Sequence, residues 1–140
     1  MQKTIFVTGS TDGIGLETAK MLVSKGHKVL IHGRSPAKLE KAQKSLSALP
    51  DGGQVESYVG ELSRIVDVEA LVKAVAEKNA RLDVLINNAG VYRAPDPITR
   101  DGLDVRFAVN TIAPYLLTKG LLPLIESSGR VINLSSAAQA

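Results

Sequence analysis

A short apolar strand, a glycine-rich turn and a helix open the chain. The turn, Thr8-Gly9-Ser10-Thr11-Asp12-Gly13-Ile14-Gly15, restricts the fold more than any other stretch. Before it, Lys3-Thr4-Ile5-Phe6-Val7 is the β-branched, apolar run of a buried parallel strand. After it, Leu16, Ala19, Leu22 and Val23 recur at helical spacing. Glycines let the backbone turn sharply and let a ligand approach where a Cβ would collide, while the helix that follows points its free N–H groups at that ligand. The expected ligand is an anion. Taken alone, the same turn could serve backbone geometry and nothing else.

The strand-to-helix rhythm then repeats. Gly26 stops the first helix, and Val29-Leu30-Ile31-His32 forms a second strand that runs into Gly33-Arg34. Ser35 fits an N-cap and Pro36 the first helical position. The helix they start turns Leu39, Ala42, Leu46 and Leu49 inward and leaves Lys38, Lys41 and Lys44 as a solvated face. Pro50-Asp51-Gly52-Gly53 is turn chemistry. The polar-apolar alternation of Gln54 to Val59 places a third strand at a sheet edge. A helix carrying Val68, Leu71, Val72 and Val75 on one stripe leads to a fourth strand, Leu82 to Ile86, which ends in Asn87-Asn88-Ala89-Gly90. An irregular stretch from Val91 to Arg100 precedes a long helix expected from about Gly102 to Ser127. A fifth strand, Val131 to Leu134, ends at Ser135-Ser136. Such alternation specifies an α/β fold with a doubly wound parallel sheet, one domain over residues 1–140. Ligands of such sheets bind beyond the carboxyl ends of the strands, where every unusual polar cluster of this chain falls.

Composition narrows the function classes. The 140 residues are 44% apolar, enough for one sizeable core, and carry a net charge of only +3. The basic residues form no block with interleaved aromatics, so no nucleic-acid partner is expected. No apolar run is long enough to cross a bilayer, no signal peptide is evident, and a cytoplasmic location is the expectation. There is no cysteine, and the two histidines make no metal set.

Thr-Gly-x-x-x-Gly-Ile-Gly after a first strand and Asn-Asn-Ala-Gly after a fourth resemble the short-chain dehydrogenase/reductase family. The resemblance implies a Rossmann-type sheet of order 3-2-1-4-5, truncated here after the fifth strand, that binds NAD or NADP. It assigns cofactor contacts to Gly9, Ser10, Thr11, Asp12, Gly13, Ile14 and Gly15, and to Asn87, Asn88, Ala89 and Gly90. Glu61 stands where the family usually has an aspartate near the adenine, and its extra length departs from that pattern. Arg34 selects between the cofactors. NAD-binding chains end the second strand in a carboxylate that would repel a 2′-phosphate, whereas here Gly33 takes that position and Arg34 offers a planar, permanently charged fork. NADP is expected over NAD; the plainer alternative is a solvated arginine in a turn.

For catalysis, the resemblance points to Ser136, with Ser135 as its rival, to hold a substrate carbonyl, and to Asn110 in the long helix. Pro114 has no N–H to bond the Asn110 carbonyl and should kink the helix there, leaving that carbonyl for a water or simply bending the helix around the core. The family's catalytic tyrosine and lysine would follow Ser136 beyond Ala140, so these 140 residues alone are expected to be inactive. Tyr115 and Lys119 imitate their spacing but precede the serine strand, which makes Tyr115 a packing or interface residue. With part of the family's fold lacking, Phe107, Ile112, Leu116 and Leu121 should be short of cover and drive self-association. The reading is thus the N-terminal part of an NADP-dependent oxidoreductase acting on a small carbonyl or alcohol. Its rivals are a non-catalytic NADP sensor and a purely structural domain.

Overall fold

Ile5 and Val7 point to one side of the central strand and Phe6 to the other, and all three are buried. Both faces of the sheet are therefore dry, as a parallel sheet requires. The computed structural model describes residues 1–50, 52–91 and 94–134. Its strands are β1 (Thr4–Val7), β2 (Lys28–Gly33), β3 (Val55–Val59), β4 (Val84–Asn87) and β5 (Arg130–Asn133), all parallel in the order β3-β2-β1-β4-β5. Ile5 pairs with Val29 on one side and Val84 on the other.

Helices cover the two faces. Helix α1 (Gly13–Ser24) and α2 (Pro36–Ser47) lay Ala19, Val23, Leu39, Ala42 and Leu46 on Ile5, Val7, Val29, Ile31 and Ile86. On the opposite face, α3 (Ile65–Lys78) and α5 (Ala113–Leu121) pack Val68, Leu71, Val75, Leu117 and Leu121 against Phe6, Leu30, Tyr58 and Leu85. Truncating one such buried leucine to alanine costs about 2–5 kcal/mol, so the two layers hold the sheet rigidly under whatever binds at its rim.

Local signals act where the sequence put them. Ser35 caps α2 by accepting from the Lys38 N–H at 3.4 Å, with Pro36 at the first helical position. At the end of α1, the His27 N–H returns to the Leu22 carbonyl and that of Gly26 to Val23. Strand β3 is the sheet edge its alternation specified, paired among the described residues with β2 alone.

The long helix differs from expectation. It begins at Val105, because Asp104 caps it by accepting from the Arg106 N–H at 2.8 Å, and Gly102 lies in the turn before it. After α4 (Val105–Phe107), a π-helical turn over Ala108–Ile112 inserts one residue, and the Ala113 N–H reaches back to the Ala108 carbonyl. This insertion lies just ahead of Pro114, where a kink was expected. The helix closes at Leu121 and tightens into a 3₁₀ turn, Leu122–Leu124. Of the residues expected to lack cover, Phe107 is exposed and Ile112 half-buried, but Leu121 is fully buried and Leu116 packs on the core; Tyr115 and Leu122 are exposed as well.

Candidate functional site

A cleft of about 410 Å³ opens where β1, β2, β3 and β4 end. Gly9, Thr11, Asp12, Gly13, Ile14 and Gly15 form its floor and near wall; Gly33, Arg34, Glu61, Asn88, Ala89 and Gly90 also line it. The sheet thus brings together most of the motif residues from four separate segments.

The turn's glycines divide their labour. Gly9 has φ +61°, and a Cβ there would lie 2.8 Å from the Ala89 Cα. A Cβ on Gly15 would collide with the Gly9 carbonyl oxygen and come 2.5 Å from Asn88 Nδ2. Both positions are closed by the protein's own backbone. Gly13 has nothing within 4 Å of a hypothetical Cβ, and this is the open face of the turn.

Asn88 and Thr8 lock β4 to that turn. Asn88 Nδ2 donates to the carbonyls of Thr8 (3.2 Å) and Gly9 (3.0 Å), and the Thr8 hydroxyl accepts from the N–H groups of Asn88 (3.1 Å) and Ala89 (3.0 Å). The structure places two other motif residues off the cleft wall. Ser10 is buried, donating to the Val7 carbonyl and accepting from the His32 N–H, both at 2.9 Å. Asn87 is buried and donates to Thr118 Oγ1 (3.2 Å) and Asn133 Oδ1 (2.8 Å), tying β4 to α5 and β5. Its Oδ1 has no hydrogen-bond partner among the described residues.

Helix N-termini are treated unequally. Ser35 caps α2, and Asp101 Oδ2 accepts from the Ile65 N–H at the start of α3, but among the described residues no side chain caps α1. Its first-turn N–H groups face the cleft with the positive end of the helix dipole behind them. At the far wall, Arg34 and Lys38 line the same cleft, and neither forms an ion pair among the described residues. A Cβ on Gly33 would press on the Thr11 side-chain methyl at 2.5 Å, so a larger residue there would have to shift that methyl. Glu61 turns one carboxylate oxygen to the Ser63 hydroxyl (2.9 Å) and N–H (3.3 Å), capping its own turn.

A family model described as short chain dehydrogenase matches residues 3–140. The chain belongs to the short-chain dehydrogenase family. Human retinol dehydrogenase 13 is 36% identical over 138 residues, covering 97% of this chain and 42% of that protein. The chain thus spans less than half the length of this curated relative. Among solved structures, a metagenomic short-chain oxidoreductase in complex with NADP superposes with a TM-score of 0.82 at 34% identity, covering 96% of this chain and 62% of that one. The Pseudomonas aeruginosa RhlG/NADP complex gives 0.83 at 30% identity, covering 97% and 55%. The Rossmann-type order β3-β2-β1-β4-β5 is the topology that the family resemblance implied.

Within this dehydrogenase fold, Asn110 sits in the π turn with its carboxamide on Val91, which lines the cleft. Ser135 and Ser136 lie outside the described residues. Tyr115 is 62% exposed, with the Lys119 ammonium 5.9 Å from its ring centroid, and neither lines the cleft. No helix among the described residues is long and apolar enough to cross a membrane, and no group of three or more metal-ligating side chains occurs there. Sequence reasoning missed Thr8, Lys38 and His32. Thr8 was hidden inside its own motif, Lys38 inside a periodic lysine face, and His32 inside an apolar strand.

Proposed function

We propose that this chain is the nucleotide-binding part of an NADP-dependent short-chain oxidoreductase that interconverts a small carbonyl and an alcohol. The uncapped start of α1 carries the reading. Among the described residues no side chain takes the N–H groups of Gly13, Ile14 and Gly15, which are left to receive a pyrophosphate on the floor of the cleft. Thr11 and Asp12 flank that floor, and Asn88, Ala89 and Gly90 form the wall towards β4. Arg34 takes the 2′-phosphate, an assignment favoured by its place on the cleft wall and by a guanidinium that forms no ion pair among the described residues. Bound there, the nicotinamide group supplies or accepts a hydride.

The chain's own residues bind and orient. Asn110 holds the Val91 backbone in both directions, which fixes the cleft wall next to Gly90. Ser136 follows β5 in sequence and is assigned the substrate carbonyl, with Ser135 as its neighbour and rival. Since Tyr115 and Lys119 lie away from the cleft, the 140 residues alone are proposed to bind nucleotide without turnover. Phe107, Tyr115 and Leu122 offer an exposed apolar surface along α4, α5 and the 3₁₀ turn, proposed as the face for self-association. Light scattering across concentration tests that face, since a strictly monomeric species removes it.

Titration calorimetry of the purified chain with NADPH and NADH tests the reading. Tighter NADPH binding that Arg34→Ala abolishes selectively is the expected result. Absence of binding by either nucleotide refutes the nucleotide-binding assignment, and a preference for NADH refutes the NADP assignment.

A further inference from the structure

The imidazole of His32 is spent at both nitrogens on backbone. Its Nδ1 accepts from the Gly9 N–H at 3.0 Å, and its Nε2 lies 2.9 Å from the Gly60 carbonyl, which can only accept. The ring is therefore neutral and protonated at Nε2. It is 3% exposed and spans from the first glycine of the β1–α1 turn to the residue after β3. The strand around it adds two further ties, because the Ser10 N–H donates to the His32 carbonyl (2.9 Å) and the His32 N–H to Ser10 Oγ. Gly9 consequently has no N–H left for a ligand, and its role in the turn passes through this ring.

We propose that His32 is a positioning residue that holds the glycine turn in its nucleotide-receiving shape only while its ring is neutral, so that nucleotide affinity falls on acidification. Protonation would put a second N–H opposite the Gly9 N–H, turning a bond into a repulsion between donors. The turn must then move off the ring, and the fraction of molecules competent to bind falls with it. The affinity part of the proposal rests on the nucleotide reading above.

The surroundings oppose protonation. Burial lowers the ring's proton affinity below the ordinary histidine range, against smaller opposite contributions from the Gly60 hydrogen bond and Glu61. Tyr58, its partner in register on β3, has its hydroxyl committed to Glu56 and Asn79, and α3 brings Leu71, an apolar side chain, to Gly60. Asp12, Arg34, Lys38 and Glu61 are the charged side chains that share the cleft with it. A ring with a lowered folded-state value binds protons less readily than in the unfolded chain. The stabilisation is therefore complete above the unfolded value of 6.5 and declines as pH falls below it.

Two measurements on the 140-residue chain test this. The first is nitrogen NMR of the two histidines, with His27 assigned through His27→Gln. It should show His32 as the neutral Nε2–H form at pH 7, with the Gly9 amide protected from exchange until the ring titrates. An Nδ1–H or protonated ring at pH 7, or Gly9 protection indifferent to ring titration, overturns the proposal. The second is NADPH affinity between pH 7.5 and 5.5 for wild type and His32→Asn, whose Oδ1 keeps an acceptor for Gly9 but does not titrate. Comparing the two proteins cancels the titration of the nucleotide's own phosphate. At pH values where the spectra show the ring protonated, the wild-type Kd should rise beyond the rise in the variant, and parallel curves there overturn the proposal. If neither protein binds NADPH at any pH, the nucleotide reading fails, while the ring and amide spectra still decide for or against the brace.

Discussion

The Asn110 carboxamide grips both backbone groups of Val91: Oδ1 accepts from its N–H and Nδ2 donates to its carbonyl, each at 2.8 Å. This reciprocal pair joins the π turn to the strand-end segment that begins at Asn88. Because the inserted residue of a π turn re-aims the side chains around it, the geometry of the helix and the grip on Val91 belong together. Asn110→Ala removes both bonds at an exposed site, so the expected stability loss is modest, about 1–2 kcal/mol by thermal denaturation. The Kd for NADPH should rise several-fold, since the Gly90–Val91 wall loses its anchor. Asn110→Asp is the sharper probe: it can still accept from the Val91 N–H, but it faces the Val91 carbonyl with a second oxygen. An NADPH affinity unchanged in both variants would remove Asn110 from the wall.

Arg34 and Lys38 line one wall, and their contributions should separate by ligand. A hydrogen bond to a charged group is worth about 1.5–3 kcal/mol, or ~10-fold to ~100-fold in affinity. Arg34→Ala is expected to weaken NADPH by that amount and leave NADH nearly unaffected, read by calorimetry at fixed salt. Lys38→Ala should give a smaller loss of the same selectivity, because an ammonium is a point charge without a planar fork. Equal losses for both nucleotides would move these cations from the 2′-phosphate to another role.

Gly9 and Gly13 share a positive φ but not an environment, and alanine at each should report on different properties. At Gly9 the new Cβ meets the Ala89 Cα at 2.8 Å and strains a backbone at φ +61°. At Gly13, with φ +57°, it meets open space. Backbone strain of this kind costs on the order of 1–3 kcal/mol. Gly13→Ala should lose about that much stability, whereas Gly9→Ala loses more, because a steric collision is added. Nucleotide binding should suffer in both. Comparable melting temperatures for the two variants would contradict the division between packed and ligand-facing glycines.

Much of the fold is legible because β-branched runs and helical spacing agree with burial on both faces of the sheet. The strands from Lys3 to Leu134 are read to within a residue or two. The long helix is not, because a true cap at Asp104 lies inside the apparent periodicity and an inserted π residue leaves no mark in composition. Within the site, pattern matching locates the rim but not the direction of each side chain. Asn87 and Asn88 are adjacent, yet one ties β5 and α5 beneath the sheet end and the other faces the cleft. Ser10 is turned inward for the same reason, as a neighbour of residues that face out. Lys38 belongs to the lysine period of α2, but its place in the first turn brings it to the cleft.

Away from the cleft, a polar network at the other end of β3 is expected to contribute to the alkaline limit of stability. Tyr58 donates to Glu56 Oε1 at 3.1 Å and accepts from Asn79 Nδ2 at 3.1 Å, while Lys28 pairs with Glu56 Oε2 at 2.7 Å and donates to Asn79 Oδ1 at 3.0 Å. Burial, with the Glu56 carboxylate adding to it, pushes the Tyr58 phenol up to about 12. A raised value means that the folded state keeps its proton where the unfolded chain gives it up. The contribution is therefore complete below the unfolded value of 10.0 and is lost as pH rises through about 12. Tyr58→Phe should still fold at neutral pH with a loss of about 1 kcal/mol, since Asn79 Nδ2 also donates to the Val75 carbonyl and Glu56 keeps Lys28. Denaturant melts at stepped pH should show a steeper fall in stability above pH 10 for wild type than for the variant. Superimposable slopes would mean that the phenol ionises as freely in the fold as outside it, and the network would then have no part in the alkaline limit.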